Sequence, residues 1–299
     1  MSLPLVATLV SAPAAAAIDA ALIRRASDAL TETFEARVLA HGVALDLSFS
    51  SSEPITTLEK RLRDAVAGAP IDVVVQEAAH RRKRLFLADM DSTMIEQECI
   101  DELADLVGLK DHVAAITERA MRGEIAFEPA LRERVALLRG LPVATIDAVI
   151  DQRVTLSPGA RVLVRTLRAL GVRTVLVSGG FTLFTNRVAA MIGFDENHAN
   201  RLEIADDRLA GTVVEPILGR EAKRETLMGL RDQFGLDPVA TMAVGDGAND
   251  LAMLAEAGLG VAYRAKPAVA AAARMRIDHA DLTALLFVQG ISAEEFVRG

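Results

Sequence analysis

After residue 84 the chain alternates between short apolar runs and helical segments, and this alternation restricts the fold more than any other feature. "LFLADM", "VRTVLVS", "ATMAVGD" and "GLGVAY" read as strands. Helical patterns separate them at 160–170, at 182–192, at 221–234 and from Asn249. Apolar strands alternating with helices imply a parallel α/β sheet covered on both faces. Four helical stretches between about 97 and 153 follow the first of these strands, which predicts a helical cap above the sheet's edge. A β-rich patch is expected around 200–215.

The first 78 residues follow another pattern. Residues 4–11 are β-like, and Ile18, Leu22, Ile23, Ala26 and Leu30 mark a helix. "FEARVLA" and "ALDLSFS" flank the turn signal His41-Gly42, "PITTLEKRLRDAVAG" is helical, and "IDVVVQEA" is a strand. The order βαββαβ is that of a ferredoxin-like α+β unit. The expected division is therefore 1–78 and 79–299, with the cap inside the second part. The basic run "HRRKR" between them reads as a solvated junction.

Composition removes several classes of function. The chain has 299 residues, about half of them hydrophobic, and no apolar run approaches the roughly 20 residues of a membrane span. "LPLVATLVSAPAAAA" has the look of a secretory core, but no basic residue precedes Arg24, so a first strand is expected instead. A net charge of −8 with no broad basic face argues against nucleic acid as a partner. A single cysteine, Cys99, excludes an intrachain disulfide and suits a reducing, cytoplasmic setting.

Four polar clusters fall at strand ends or helix starts, where open α/β sheets bind ligands. In "DMDST", Asp89 and Asp91 repel each other unless a cation intervenes or one is protonated. A hard ion such as Mg2+ takes such oxygen ligands. An aspartate can also serve as a nucleophile, and a second one as acid and base. In "VLVSGGF", Ser178 with Gly179 and Gly180 offers a hydroxyl and close backbone to a phosphate. Lys223 in "GREAKRETL" would offset the nucleophile's charge. In "VGDGANDLAML", Asp246 would complete an oxygen cage, with Asn249 and Asp250 opening the next helix. Each cluster alone also fits a cap, a turn or a surface side chain.

Jointly, "DMDST", "SGGF", Lys223 and "GDGAND" resemble the haloacid-dehalogenase-like phosphohydrolases in order and spacing, over residues 84–290. "DSTMIEQECIDELA" and "MRGEIAFEPALRERVALLRG" are similar to segments of the phosphoserine phosphatase family. The resemblance implies a Rossmann-like hydrolase core with a helical cap, and Mg2+-dependent hydrolysis of phosphoserine. It implies Asp89 as nucleophile, Asp91 as acid and base, and Mg2+ on Asp89, the Asp91 main-chain carbonyl and Asp246. Ser178, Gly179, Gly180 and Lys223 would bind phosphate, with Asn249 orienting it and Asp250 in support. Glu98 would lie near the substrate ammonium, Arg134 would grip its carboxylate, and Met121 and Phe127 would close over the site. The N-terminal unit resembles ACT-like regulatory domains, which implies an amino-acid effector there and admits a homodimer.

Rival chemistries lack their residues. Six positions after Cys99 stands Asp105, not the arginine a cysteine phosphatase needs. Neither H-E-x-x-H nor G-x-x-x-x-G-K-[ST] occurs. Two alternatives stay open: an amino-acid-sensing protein with a silent hydrolase domain, and a phosphatase or phosphotransferase for another small phosphomonoester.

Overall fold

The computed structural model describes residues 2–121 and 124–298, without the side chains of Ala120 and Met121. The chain opens with β1 (Leu3–Ser11), α1 (Ala20–Ala29), β2 (Phe34–Ala40), β3 (Ala44–Ser51), α2 (Ile55–Ala65) and β4 (Ile71–Glu77). These strands form an antiparallel sheet in the order β2-β3-β1-β4, compatible with a ferredoxin-like unit. Alternation along each strand gives the sheet two different faces. Leu5, Ala7, Leu9, Leu45, Leu47, Val73 and Val75 pack under Leu22, Leu58 and Leu62 of the two helices. The residues between them face the larger sheet: Val10, Ala44 and Val74 join its core, and Thr8, Asp46, Asp72 and Gln76 are buried polar groups.

Those polar groups join the two sheets. Asp72 accepts the N–H groups of Asp278 (2.8 Å), His279 (3.1 Å) and Ala280 (2.8 Å). Gln76 donates to the Val288 carbonyl at 2.6 Å. Arg81 donates to both oxygens of Asp46, at 2.8 and 3.0 Å, and to the carbonyls of Phe287 and Val288, each at 3.2 Å. The expected solvated junction is thus only partly so. His80, Arg82 and Arg84 are exposed, but Arg81 is half-buried and Lys83 is buried. The inward-facing Asp46 and the carbonyls of 287–288 need donors, and this segment supplies them.

The larger part begins with β5 (Leu85–Ala88) and a cap of α3 (Cys99–Leu106), α4 (Lys110–Met121), α5 (Phe127–Leu137) and α6 (Ala144–Arg153). Next come α7 (Ala160–Ala169), β6 (Arg173–Phe181), α8 (Thr182–Ile192), the hairpin β7 (Glu196–Ala205) and β8 (Arg208–Val214), and α9 (Arg220–Gln233). The chain continues through β9 (Thr241–Gly245), α10 (Leu251–Glu256), β10 (Leu259–Tyr263), α11 (Pro267–Ala272), β11 (Met275–Ile277) and α12 (Ala284–Phe287). The sheet order is β11-β10-β9-β5-β6-β7-β8, parallel except for β7–β8. Leu85 and Leu87 face a layer that includes Leu227 and Met253, while Phe86 and Ala88 face Leu163, Leu167 and Phe184. This is the α/β core with a cap that the alternation predicts.

Two features set the site. β5 lies between β6 and β9, so the clusters after these three strands meet at one edge. The cap leaves and rejoins the core through a two-strand neck, with Ile95 opposite Leu156, Glu96 N–H on Thr155 O (2.9 Å) and Ser157 N–H on Met94 O (3.0 Å). β6 runs on through Gly179 and Gly180 to Phe181, so these glycines lie in an irregular strand end rather than at a helix start. Among the described residues no helix is long and apolar enough to cross a membrane.

Removing one partner of a buried ion pair leaves the other charge uncompensated. Arg81→Ala should therefore lower unfolding free energy by about 3–5 kcal/mol, measured by urea denaturation.

Candidate active site

Asp89 directly follows β5, and its N–H still bonds Val244 O of β9 (3.0 Å), so its buried carboxylate stands at the sheet's edge. Its Oδ1 accepts from the N–H of Met90 (2.8 Å) and pairs with Lys223 Nζ at 2.6 Å. Lys223 rises from α9, is only 3% exposed, and also reaches Asp250 Oδ1 at 2.7 Å. Asp250 fixes the next turn by accepting the Gly247 N–H at Oδ2 (3.0 Å). Asp246, after β9, accepts from the Thr93 hydroxyl at 3.1 Å. Gly245 makes room for this arrangement: a Cβ there would lie 2.4 Å from the Asp250 carboxylate carbon.

A short turn aims the second acid. Ser92 takes a left-handed backbone (φ 52°, ψ 6°) between Asp91 and Thr93. Its N–H on Gln97 O (3.2 Å) and its hydroxyl on Glu98 (2.8 Å) hold this otherwise unfavourable conformation. Asp91 thereby points away from Asp246 and toward the start of α3. Its Oδ1 accepts the Cys99 N–H (2.9 Å), and its Oδ2 accepts from the Ser178 hydroxyl at 3.3 Å. Ser178 in turn receives the Gly180 N–H at 2.9 Å.

One oxygen from each of Asp89, Asp246 and Asp250 lies within 4.8 Å of the others. Burial first, then the Asp250 charge, push Asp89 well above the usual carboxylate range, against the pull of Lys223. The same two causes raise Asp246. Burial would strip Lys223 of its proton, but Asp250 and Asp89 outweigh that and hold the ammonium more firmly than in water. Burial raises Asp91 as well, despite the Cys99 N–H. Three carboxylates against one ammonium leave two negative charges, and the ligand atoms are all oxygen. A hard divalent cation fits both the charge and the donors.

The cluster opens into a cleft of about 530 Å³ between core and cap. Glu98, Phe127 and Arg134 line its cap side, and Ser178, Gly179, Gly180 and Asn249 its core side. The Arg134 guanidinium is oriented by the Ala130 carbonyl (3.3 Å) and the Thr117 hydroxyl (3.5 Å). The Phe127 ring lies over Gly179, 3.6 Å from where a Cβ would stand. Burial between the cleft walls and the Asp91 charge push Glu98 up to about 7. Cys99 is buried, and burial and Asp91 raise its thiol, so it is a packed residue and not a nucleophile. The Met121 side chain lies outside the described residues.

The cleft also holds Asp101, Thr117, Leu131 and Lys266, which the sequence did not single out. Thr93 was within reach, as the last residue of "DMDST". The others sit in helices or turns whose pattern carries no chemical mark.

Residues 86–255, which contain both acid clusters, match the haloacid dehalogenase-like hydrolase family, and the chain belongs to it. Its relatives narrow the comparison. Phosphoserine phosphatase SerB2 of Mycobacterium tuberculosis is 42% identical over 275 residues, covering 86% of this chain and 67% of that protein. The phosphoserine phosphatase of Polaromonas sp. is 45% identical over 224 residues, covering 73% of this chain and 95% of its own length. A solved phospho-aspartyl intermediate analogue of phosphoserine phosphatase superposes with a TM-score of 0.64 at 39% identity, over 69% of this chain and 98% of that one.

Proposed function

We propose that this chain hydrolyses O-phospho-L-serine to L-serine and phosphate, the serine-forming step of serine biosynthesis, through an aspartyl-phosphate on Asp89. The observation that carries the reading is the joint lining of one cleft: a carboxylate (Glu98) and a guanidinium (Arg134) face the acid cluster across it. This suits a zwitterion whose third group is a phosphate.

Asp89 attacks phosphorus and the serine oxygen leaves with a proton from Asp91, whose raised pKa favours that protonated form. Water then attacks the aspartyl-phosphate and gives its proton to Asp91, which releases phosphate and restores Asp89. Lys223, Ser178 and the N–H of Gly179 meet the phosphoryl oxygens, Gly180 holds the Ser178 hydroxyl beside them, and Asn249 orients them. Asp250 holds Lys223 in place, as its 2.7 Å contact supports. Phe127, whose ring lies over Gly179, shuts water out. Asp89, Asp246 and the Asp91 main-chain carbonyl would hold Mg2+, which supplies positive charge against the phosphoryl oxygens.

The N-terminal unit, over residues 1–78, is read as a regulatory domain with an amino-acid effector, in a homodimeric protein. Its strand order supports the first part. A cytoplasmic setting suits the single, buried thiol.

Phosphate release from phosphoserine should require Mg2+, and Asp89→Asn should reduce it roughly a thousandfold or more. An inactive wild type, or an active variant, refutes the mechanism. Arg134→Ala should lower kcat/KM for phosphoserine roughly a hundredfold while an uncharged aryl phosphate is nearly unaffected; equal losses would remove the carboxylate grip. Glu98 is neutral below its pKa of about 7 and charged above it, so only above it does it attract the ammonium. The ratio of the wild-type KM to that of Glu98→Gln should fall roughly tenfold as pH rises from 6 to 8, and a flat ratio in steady-state assays rejects this role.

A further inference from the structure

A second cavity, of about 250 Å³, lies between the two sheets. Val74–Glu77 of β4 form one wall, and Val239, Gly258, Leu259, Arg274 and Met275 form the other. The second set stands at or before the starts of β9, β10 and β11, whereas Asp246 follows the far end of β9. This cavity is therefore at the opposite end of the strands from the acid cluster.

Its lining holds two carboxylates, Glu59 and Glu77, and two cations, Lys83 and Arg274, but they are not paired with one another. Lys83 lines it, is only 6% exposed, and donates to the carbonyls of His80 and Val239, each at 2.7 Å. Those two bonds use two of the three ammonium hydrogens. Among the described residues no carboxylate pairs with Lys83 or with Arg274, whose guanidinium donates to Gly258 O at 3.1 Å. Of the two acids, Glu59 pairs with Arg63 at 2.6 Å, and Glu77 lies 3.8 Å from His80, which also lines the cavity. A buried charge is ordinarily paired, since an uncompensated one is expensive, and of the two cations it is Lys83 that is buried.

We propose that this cavity binds a small oxyanion, a carboxylate or phosphate group, between Lys83 and Arg274. The bound anion would give Lys83 the anionic partner that neither lining carboxylate provides and tie β4 to the edge of the larger sheet. Burial and the Arg274 charge hold the Lys83 pKa down to about 8, the direction expected of an ammonium that lacks an anionic neighbour. This site does not depend on the phosphatase reading.

The test is amide hydrogen exchange of the full chain in Mg2+-free buffer at fixed ionic strength. Inorganic phosphate and malonate are added separately at about 10 mM, which probes millimolar affinity, with chloride as control. Either oxyanion should slow exchange over residues 71–77 and 259–277 in wild type and in Ser178→Ala, where the cleft is altered. Protection by phosphate alone assigns the ligand to phosphates, and protection by malonate alone to carboxylates. Lys83→Met and Arg274→Gln should each need at least tenfold more anion. Should Lys83→Met fail to fold, the exposed Arg274 still carries the test. The proposal falls if neither anion protects these segments in wild type, if both variants respond as wild type does, or if protection disappears in Ser178→Ala.

Discussion

The buried ammonium of Lys223 holds three parts of the chain in one place. It joins Asp89 at the end of β5 to Asp250 at the start of α10, and it reaches them from α9. Nothing else in the site could be arranged freely once this is set. A lysine at 3% exposure must have its charge met, and two carboxylates meet it at hydrogen-bond distance. Gly245 is then required because Asp250 occupies the space of a side chain. The result is a rigid, over-acidic edge, and the excess negative charge is what calls for a divalent cation.

A comparable economy joins the N-terminal sheet to the rest. A unit on a flexible tether would turn a polar face to water. Here the second face of the sheet is buried, and its polar residues Asp46, Asp72 and Gln76 find partners across the boundary. Asp72 binds three successive N–H groups at 278–280, immediately after β11, so the position of the last strand depends on the N-terminal unit.

The chemistry of the site was legible in the sequence because it is local. "DMDST", "SGGF" and "GDGAND" each place small and charged residues directly after an apolar run, and the order of strands brings those ends together. Main elements were legible for a similar reason, since four or more apolar positions repeat with a clear period. β11 and α12 were not, being three and four residues long, too short to show any period. Arg81 and Lys83 were misjudged because a basic run is usually solvated, and only the tertiary contact with buried carbonyls reverses that. Asp101 and Thr117 carry no mark in the sequence, since their value lies in standing beside Arg134 on neighbouring cap helices rather than in any spacing.

The main chain of the cap is bonded to the core at two separate places, and ion pairs from Asp147 and Asp151 to Arg187 of α8 and from Arg132 to Glu215 join the two further, which limits how it can move. One is the neck at Ile95 and Leu156. The other is the connection between α5 and α6, where Gly140 and Leu141 exchange main-chain bonds with Leu209 (both 2.8 Å) and Val143 bonds Asp207 (3.0 Å). The Arg208 side chain adds a bond to the Gly140 carbonyl at 2.8 Å. A rigid swing of the whole cap about its neck would break this second attachment to the β7–β8 hairpin. Any opening of the cleft would therefore turn about an axis through both attachments, breaking the Arg187 ion pairs, or bend the cap between its helices. Either motion carries Phe127 and Arg134, which share α5, away from Gly179 and Ser178 together. In the proposed reaction, exclusion of water by Phe127 and the grip of Arg134 would then be one event, because one helix carries both.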